Sequence, residues 1–112
     1  MHEASIMREL LAAAAETAGP GGRVLEVHVD VGLLTGVSPD ALAFYFEALQ
    51  CDTLGPQARL DVRLVPLRAA CTECGARLEQ GELAWTCPAC GGSLTFDNGA
   101  ELTLRQLVVE HG

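Results

Sequence analysis

Two C-x-x-C-G knuckles, Cys71-Thr72-Glu73-Cys74-Gly75 and Cys87-Pro88-Ala89-Cys90-Gly91, lie twelve residues apart in a chain of 112. Each knuckle puts two thiolates on one turn, and the following glycine lets the backbone fold back beneath the sulfurs. Two such turns supply the four ligands of a tetrahedral site. Zinc is favoured because it accepts four sulfurs with no geometric preference of its own; iron in a rubredoxin-like arrangement competes, and a redox dithiol is the metal-free alternative. A four-thiolate site has no open coordination position, so it serves structure and not catalysis, and no enzyme is expected. Residues 69–99 contain few large apolar side chains beyond Leu78, Leu83, Trp85, Leu94 and Phe96. That is too little to stabilise about 30 residues by burial, so this segment requires its metal to fold.

The remaining chain reads as one small domain around this insert. Residues from Ser5 to Ala18 place Ile6, Met7, Leu10, Leu11 and Ala14 at helical spacing, and Gly19-Pro20-Gly21-Gly22 stops the helix. From Arg23, alternation puts Leu25, Val27, Val29, Val31 and Leu33 on one strand face, with Glu26, His28 and Asp30 on the other. Ser38-Pro39-Asp40 is an N-cap signal opening a second helix with Leu42, Tyr45, Phe46 and Leu49 on one stripe. Arg59 to Val65 alternates again, and Pro66 limits further pairing. In the last segment Leu102 and Leu104, then Leu107 and Val109, face inward one residue out of step, which predicts a strand with a bulge near Arg105-Gln106. Polar outer strand faces require both helices to share the other face. The expected class is α+β: two helices on one face of a small three-stranded sheet, with an inserted four-cysteine zinc-ribbon-like domain. The helical domain would comprise residues 1–68 and 100–112, and the insert residues 69–99.

Charge narrows the partners. Seven basic residues, all arginine, against 15 acidic ones give a net charge of −8, and four thiolates holding a divalent ion take it to about −10. Counterion release from clustered Lys and Arg cannot then drive phosphate binding, so no nucleic acid is expected. No apolar run approaches the ~20 residues of a bilayer span. The start of the chain shows neither a signal nor a transit peptide, so no membrane, a cytoplasmic location and a monomer or weak dimer are the expectation. Cys51, at the end of the second helix, reads as a core filler. His28 reads as exposed or paired with a neighbouring strand residue, and His111 as frayed. Gly32 to Gly36 lacks the lysine and spacing of a phosphate loop.

Met1-His2-Glu3 forms a second constellation. An α-amine, a deprotonated backbone nitrogen and the imidazole at position 2 can form fused chelate rings, and square-planar nitrogen coordination selects nickel(II) or copper(II) over zinc. Glu3 can add a backbone nitrogen, a carboxylate or a hydrogen bond to the imidazole. Taken alone, a histidine at this position is as a rule a solvated side chain near a frayed end.

Together, Met1-His2-Glu3-Ala4-Ser5, the stretch from Val31 to Leu42 and the paired knuckles resemble the HypA/HybF family of hydrogenase-maturation nickel metallochaperones over essentially the whole chain. The resemblance implies a nickel-binding α/β domain carrying a zinc domain, and delivery of Ni(II) during assembly of the [NiFe] hydrogenase active site. Its partners would be the GTPase HypB and the hydrogenase large subunit. It makes His2 the principal nickel ligand, assisted by the Met1 amine, the His2 amide and Glu3, and gives zinc to Cys71, Cys74, Cys87 and Cys90. Some members also serve urease maturation. The insert contains no histidine, so a backbone nitrogen of Glu3 is expected in place of any zinc-domain imidazole. The competing readings are a zinc-ribbon module binding protein or nucleic acid, disfavoured by charge and by the lack of aromatics interleaved with basic residues, and a redox protein using its C-x-x-C pairs, disfavoured because four thiols at this spacing should be consumed by one metal.

Overall fold

The computed structural model describes residues 2–111. Helix α1 spans Glu3–Ala18 and buries Met7, Leu11 and Ala14, one residue per turn on a single stripe. It ends at Gly19, whose φ of 71° is the turn conformation that glycine adopts without a Cβ penalty. Strand β1 follows at Gly22–Gly32, then a 3-10 turn at Leu33–Thr35 and helix α2 at Pro39–Leu49. The expected cap is present: the Ser38 side chain accepts the Ala41 amide at 3.2 Å and Pro39 begins the helix. Leu42 and Phe46 are buried, with Tyr45 and Leu49 packed at the margin. Strand β2 covers Arg59–Val65 and the terminal strand, numbered β6 in chain order, covers Leu102–His111.

These three strands form a sheet in the order β2-β1-β6, with β1 and β2 parallel and β1 and β6 antiparallel. The parallel pair is joined through α2, as a crossover between parallel strands requires. Both helices cover one face, where Met7, Leu11, Ala14, Val27, Val29, Val31, Leu42 and Phe46 belong to one core. The architecture read from polarity alternation is therefore the one observed.

The alternation itself departs from expectation in two places. Facing Val109 and Val108, β1 bulges between Val24 and Glu26. The extra residue is Leu25, so Val24 turns inward at 3% exposure while Leu25 is only half-buried. Leu33 is half-buried because the strand has already ended at Gly32 and given way to the 3-10 turn. The predicted bulge in β6 is present, since His28 pairs with Gln106 and Val29 with Leu104, leaving Arg105 unpaired.

Pro66 alone separates β2 from β3 (Leu67–Cys71), which begins a second sheet. With β4 (Arg77–Gln80) and β5 (Leu94–Phe96), it forms the order β4-β3-β5, antiparallel throughout. Its core is small: Ala69, Cys71, Cys87 and Leu94, flanked by Ala76, Leu78 and Phe96. The chain measures 56 × 24 × 16 Å with a radius of gyration of 17.4 Å. A single compact body of this length would have about 13 Å, so the two sheets lie end to end as two lobes.

Candidate metal centre

The knuckles occupy corresponding positions around the second sheet. Cys71 closes β3, and its carbonyl accepts the Gly75 amide at 3.2 Å while its own amide reaches the Ala76 carbonyl at 2.9 Å. The second knuckle repeats the pattern: Gly91 donates to the Cys87 carbonyl, and Cys87 to the Gly92 carbonyl, both at 2.8 Å. Gly75 and Gly91 have φ of 75° and 78°, the left-handed conformation that returns the backbone beneath the sulfurs.

All four Sγ atoms lie within 4.8 Å of one another, with Cys71 and Cys90 at 3.4 Å and Cys74 and Cys87 at 3.8 Å. Four sulfurs at a Zn–S distance of ~2.3 Å stand about 3.8 Å apart at the corners of a tetrahedron, so the cluster has the dimensions of that site. Backbone amides face two of the sulfurs. Amides of Glu73 and Cys74 donate to Cys71 Sγ, and that of Gly92 to Cys90 Sγ, each at 3.4 Å. The Cys74 and Glu73 amides hold Cys71 down at about 6. Cys90 also receives an amide, from Gly92, yet its contacts with Cys71 and Cys74 push it up to about 12. Backbone amides thus favour the thiolate at Cys71, while the neighbouring sulfurs oppose a second one at Cys90, an opposition that a cation among the sulfurs would relieve. Cys71 and Cys87 are buried, Cys74 and Cys90 exposed.

The N-terminal constellation lies on the other lobe. Met1 is outside the described residues. His2 is exposed and extended in the position before α1, where its carbonyl accepts the Ile6 amide at 3.1 Å and its ring caps nothing. Glu3 begins the helix, and its Oε2 accepts the Ser38 amide at 3.2 Å. That amide, followed by Glu3's own, holds the carboxyl below its ordinary range. This tie joins the start of α1 to the start of α2 across 35 residues of sequence, and no local pattern announces it.

Cys51 is exposed and not a core filler: it sits in a 3-10 turn, and Gln50 is the residue that turns inward, donating to the Gly55 and Ala58 carbonyls. His28 lies on the outer sheet face, with Nδ1 2.9 Å from Asp61 and Nε2 2.9 Å from Glu26. His111 is exposed at the end of β6.

The family model described as hydrogenase/urease nickel incorporation, metallochaperone, hypA matches residues 1–109. A hydrogenase maturation factor HypA from Geobacter metallireducens is 42% identical over 111 residues, covering 98% of this chain and all of its own. One from Rhizobium leguminosarum bv. viciae is 36% identical over 112 residues, covering 97% and 99%. Among solved structures, the solution structure of the Ni metallochaperone HypA from Helicobacter pylori aligns over both whole chains with a TM-score of 0.67 at 22% identity, a likeness of fold.

Proposed function

Because the chain belongs to the HypA family of hydrogenase/urease nickel-incorporation metallochaperones, we propose that it takes up Ni(II) at Met1, His2 and Glu3 and delivers it to a [NiFe] hydrogenase. The observation that carries this reading is the match from residue 1 to residue 109, which spans the N-terminal ligand set and both cysteine knuckles. His2 is the principal ligand, assisted by the Met1 amine, the His2 amide and Glu3. Cys71, Cys74, Cys87 and Cys90 hold Zn(II), which supplies the insert with the cross-link its small core lacks. The nickel-binding part is residues 1–68 with 100–112, and the zinc-binding part residues 69–99.

Local physics supports a terminal nickel site. The first amides of a helix have no intrahelical acceptor, so deprotonating the nitrogen of residue 2 or 3 removes no hydrogen bond from α1. The positive end of the helix dipole favours the anionic amide that a square-planar chelate uses. Glu3 is anchored at Ser38, so its backbone is positioned for the metal while its carboxylate is engaged elsewhere. A site on an exposed end can be offered directly to a partner's thiolates, which are softer ligands. The cytoplasm is the proposed location, with the GTPase HypB and the hydrogenase large subunit as partners in the transfer.

The test is a nickel titration, by calorimetry with absorption spectroscopy, of zinc-loaded protein with its native N-terminus beside His2→Ala. Stoichiometric binding with a square-planar absorption band, lost in the variant by tenfold or more in affinity, is the expected result. Equal weak binding by both proteins would move the function to the insert and favour an interaction module.

A further inference from the structure

Among the described residues the two sheets share no broad interface: no element of one packs extensively on an element of the other. Their relative direction is therefore set where the chain crosses between them, at Pro66 going out and at residues 97–101 coming back. This neck is densely bonded. Asn98 Oδ1 accepts the Arg68 amide at 2.8 Å, while its Nδ2 donates to the Pro66 carbonyl at 3.0 Å and to Glu101 Oε2 at 2.9 Å. Glu101 Oε1 accepts the Gly99 amide at 2.7 Å. The returning chain is bonded in turn to the end of β1, since Gly32 donates to the Glu101 carbonyl at 2.7 Å and Leu34 to the Gly99 carbonyl at 2.9 Å.

Packing closes the same place. Leu67 is fully buried. A Cβ on Gly99, at φ 129°, would come within 2.6 Å of Leu34 and 2.8 Å of Leu67, and one on Gly32 would collide with the Gly99 carbonyl and the Glu101 carboxylate. A flexible tether is rich in unbonded Gly and Ser; here the two crossings are bonded to each other, and the returning one to the end of β1 and the turn after it, with a carboxylate strengthening the bonds.

We propose that Asn98 and Glu101 form a clamp that fixes the direction of the four-cysteine lobe, so that the two lobes turn as one body. Asn98 joins the outgoing crossing to the returning one, and Glu101 joins the returning one to itself and, through its carbonyl, to the large sheet. The loop receiving this load runs from Gly32 through Thr35, which bonds the Gly32 carbonyl and the Val37 amide, to Ser38, the residue that holds Glu3. Both metal-ligand regions are thereby referred to one loop. The clamp holds whichever metal either of them takes.

Polarity reversal tests the clamp. Asn98→Asp keeps the shape and the Arg68 contact but sets an oxygen against the Pro66 carbonyl and Glu101 Oε2. Adding Glu101→Gln restores a donor between the two side chains and keeps an acceptor for Gly99. Residual dipolar couplings are measured on the full chain, 15N-labelled and loaded with one equivalent of Zn(II). A single alignment tensor fits both lobes of the wild type; N98D needs two, with weaker alignment of the insert; and N98D/E101Q moves back toward one. Should N98D lose native amide shifts in either lobe, E101Q alone is read in its place, since it faces Asn98 Nδ2 with a second donor. Two tensors in the wild type, or one tensor in a natively folded N98D or E101Q, would overturn the proposal.

Discussion

Asp30 shows how individual charges are disposed on the helix-free face of the large sheet. It receives Arg63 through two hydrogen bonds, at 2.8 and 3.1 Å, and Arg105 at 2.9 Å. Arg105 is the extra residue of the β6 bulge, so an irregularity in the ladder aims a cation at the central strand. Burial by itself raises the Asp30 pKa, but the two guanidinium groups outweigh it and hold the carboxyl below its usual range. A depressed native value stabilises the fold above the unfolded carboxylate range, ~4, and that stability is lost as pH falls through the native value. Asp30→Asn should therefore cost roughly 1 kcal/mol at pH 7, the size of a partly exposed ion-pair contribution. The difference from wild type should shrink toward pH 3, as urea midpoints at the two values would show. Equal loss at both would mean that packing, not charge, was removed.

Elements differ in what makes them stable. The helices and long strands of the large sheet have strong local signals and an apolar face to bury, whereas β3, β4 and β5 are three to five residues long around four buried side chains. Short antiparallel strands with so little core fall below what hydrophobic burial sustains. Among the described residues, the four-cysteine cluster is the candidate cross-link for this lobe. Stripping metal from reduced protein with a strong chelator should collapse the amide shift dispersion of residues 67–96 while those of α1, α2 and β1 persist, and added Zn(II) should restore it. Loss of both lobes together would show that the large sheet depends on the insert.

At the scale of the molecule, an end-to-end arrangement joined only at a neck has two cores, so it is expected to unfold in two transitions. Trp85, the single tryptophan, lies in the insert and packs edge-on against Phe96 at 5.1 Å. Its fluorescence reports one lobe, and far-UV dichroism is dominated by the helices of the other. Leu42 is fully buried on the inner face of α2. Leu42→Ala should cost about 2–5 kcal/mol, lowering the dichroism midpoint while the Trp85 midpoint of the zinc-loaded protein stays in place. A common shift of both would indicate a single cooperative unit. Fixed orientation at the neck does not by itself require shared folding, because a clamp of a few hydrogen bonds couples direction more strongly than stability.

What the sequence determined by itself was everything written in local spacing. The 3.6-residue and two-residue periods specify α1, α2 and the three long strands, Ser38-Pro39 specifies where α2 starts, and the out-of-step leucines specify the Arg105 bulge. The C-x-x-C-G repeats specify four converging sulfurs, because knuckle geometry follows from a cysteine pair and one glycine. Tertiary structure decided what depends on pairing across distance. The Leu25 bulge exists only opposite Val108 and Val109, and it reversed the inward face predicted for the start of β1. Cys51 is exposed because the turn after α2 buries the Gln50 amide instead, where two carbonyls brought together by the fold satisfy it. The tie between Glu3 and Ser38, and the clamp of Asn98 and Glu101 around Pro66 and Arg68, join residues with no common period. Hydrogen bonds of this kind leave no mark in the sequence, since any polar residue is compatible with its own neighbours and only the folded chain selects its partner.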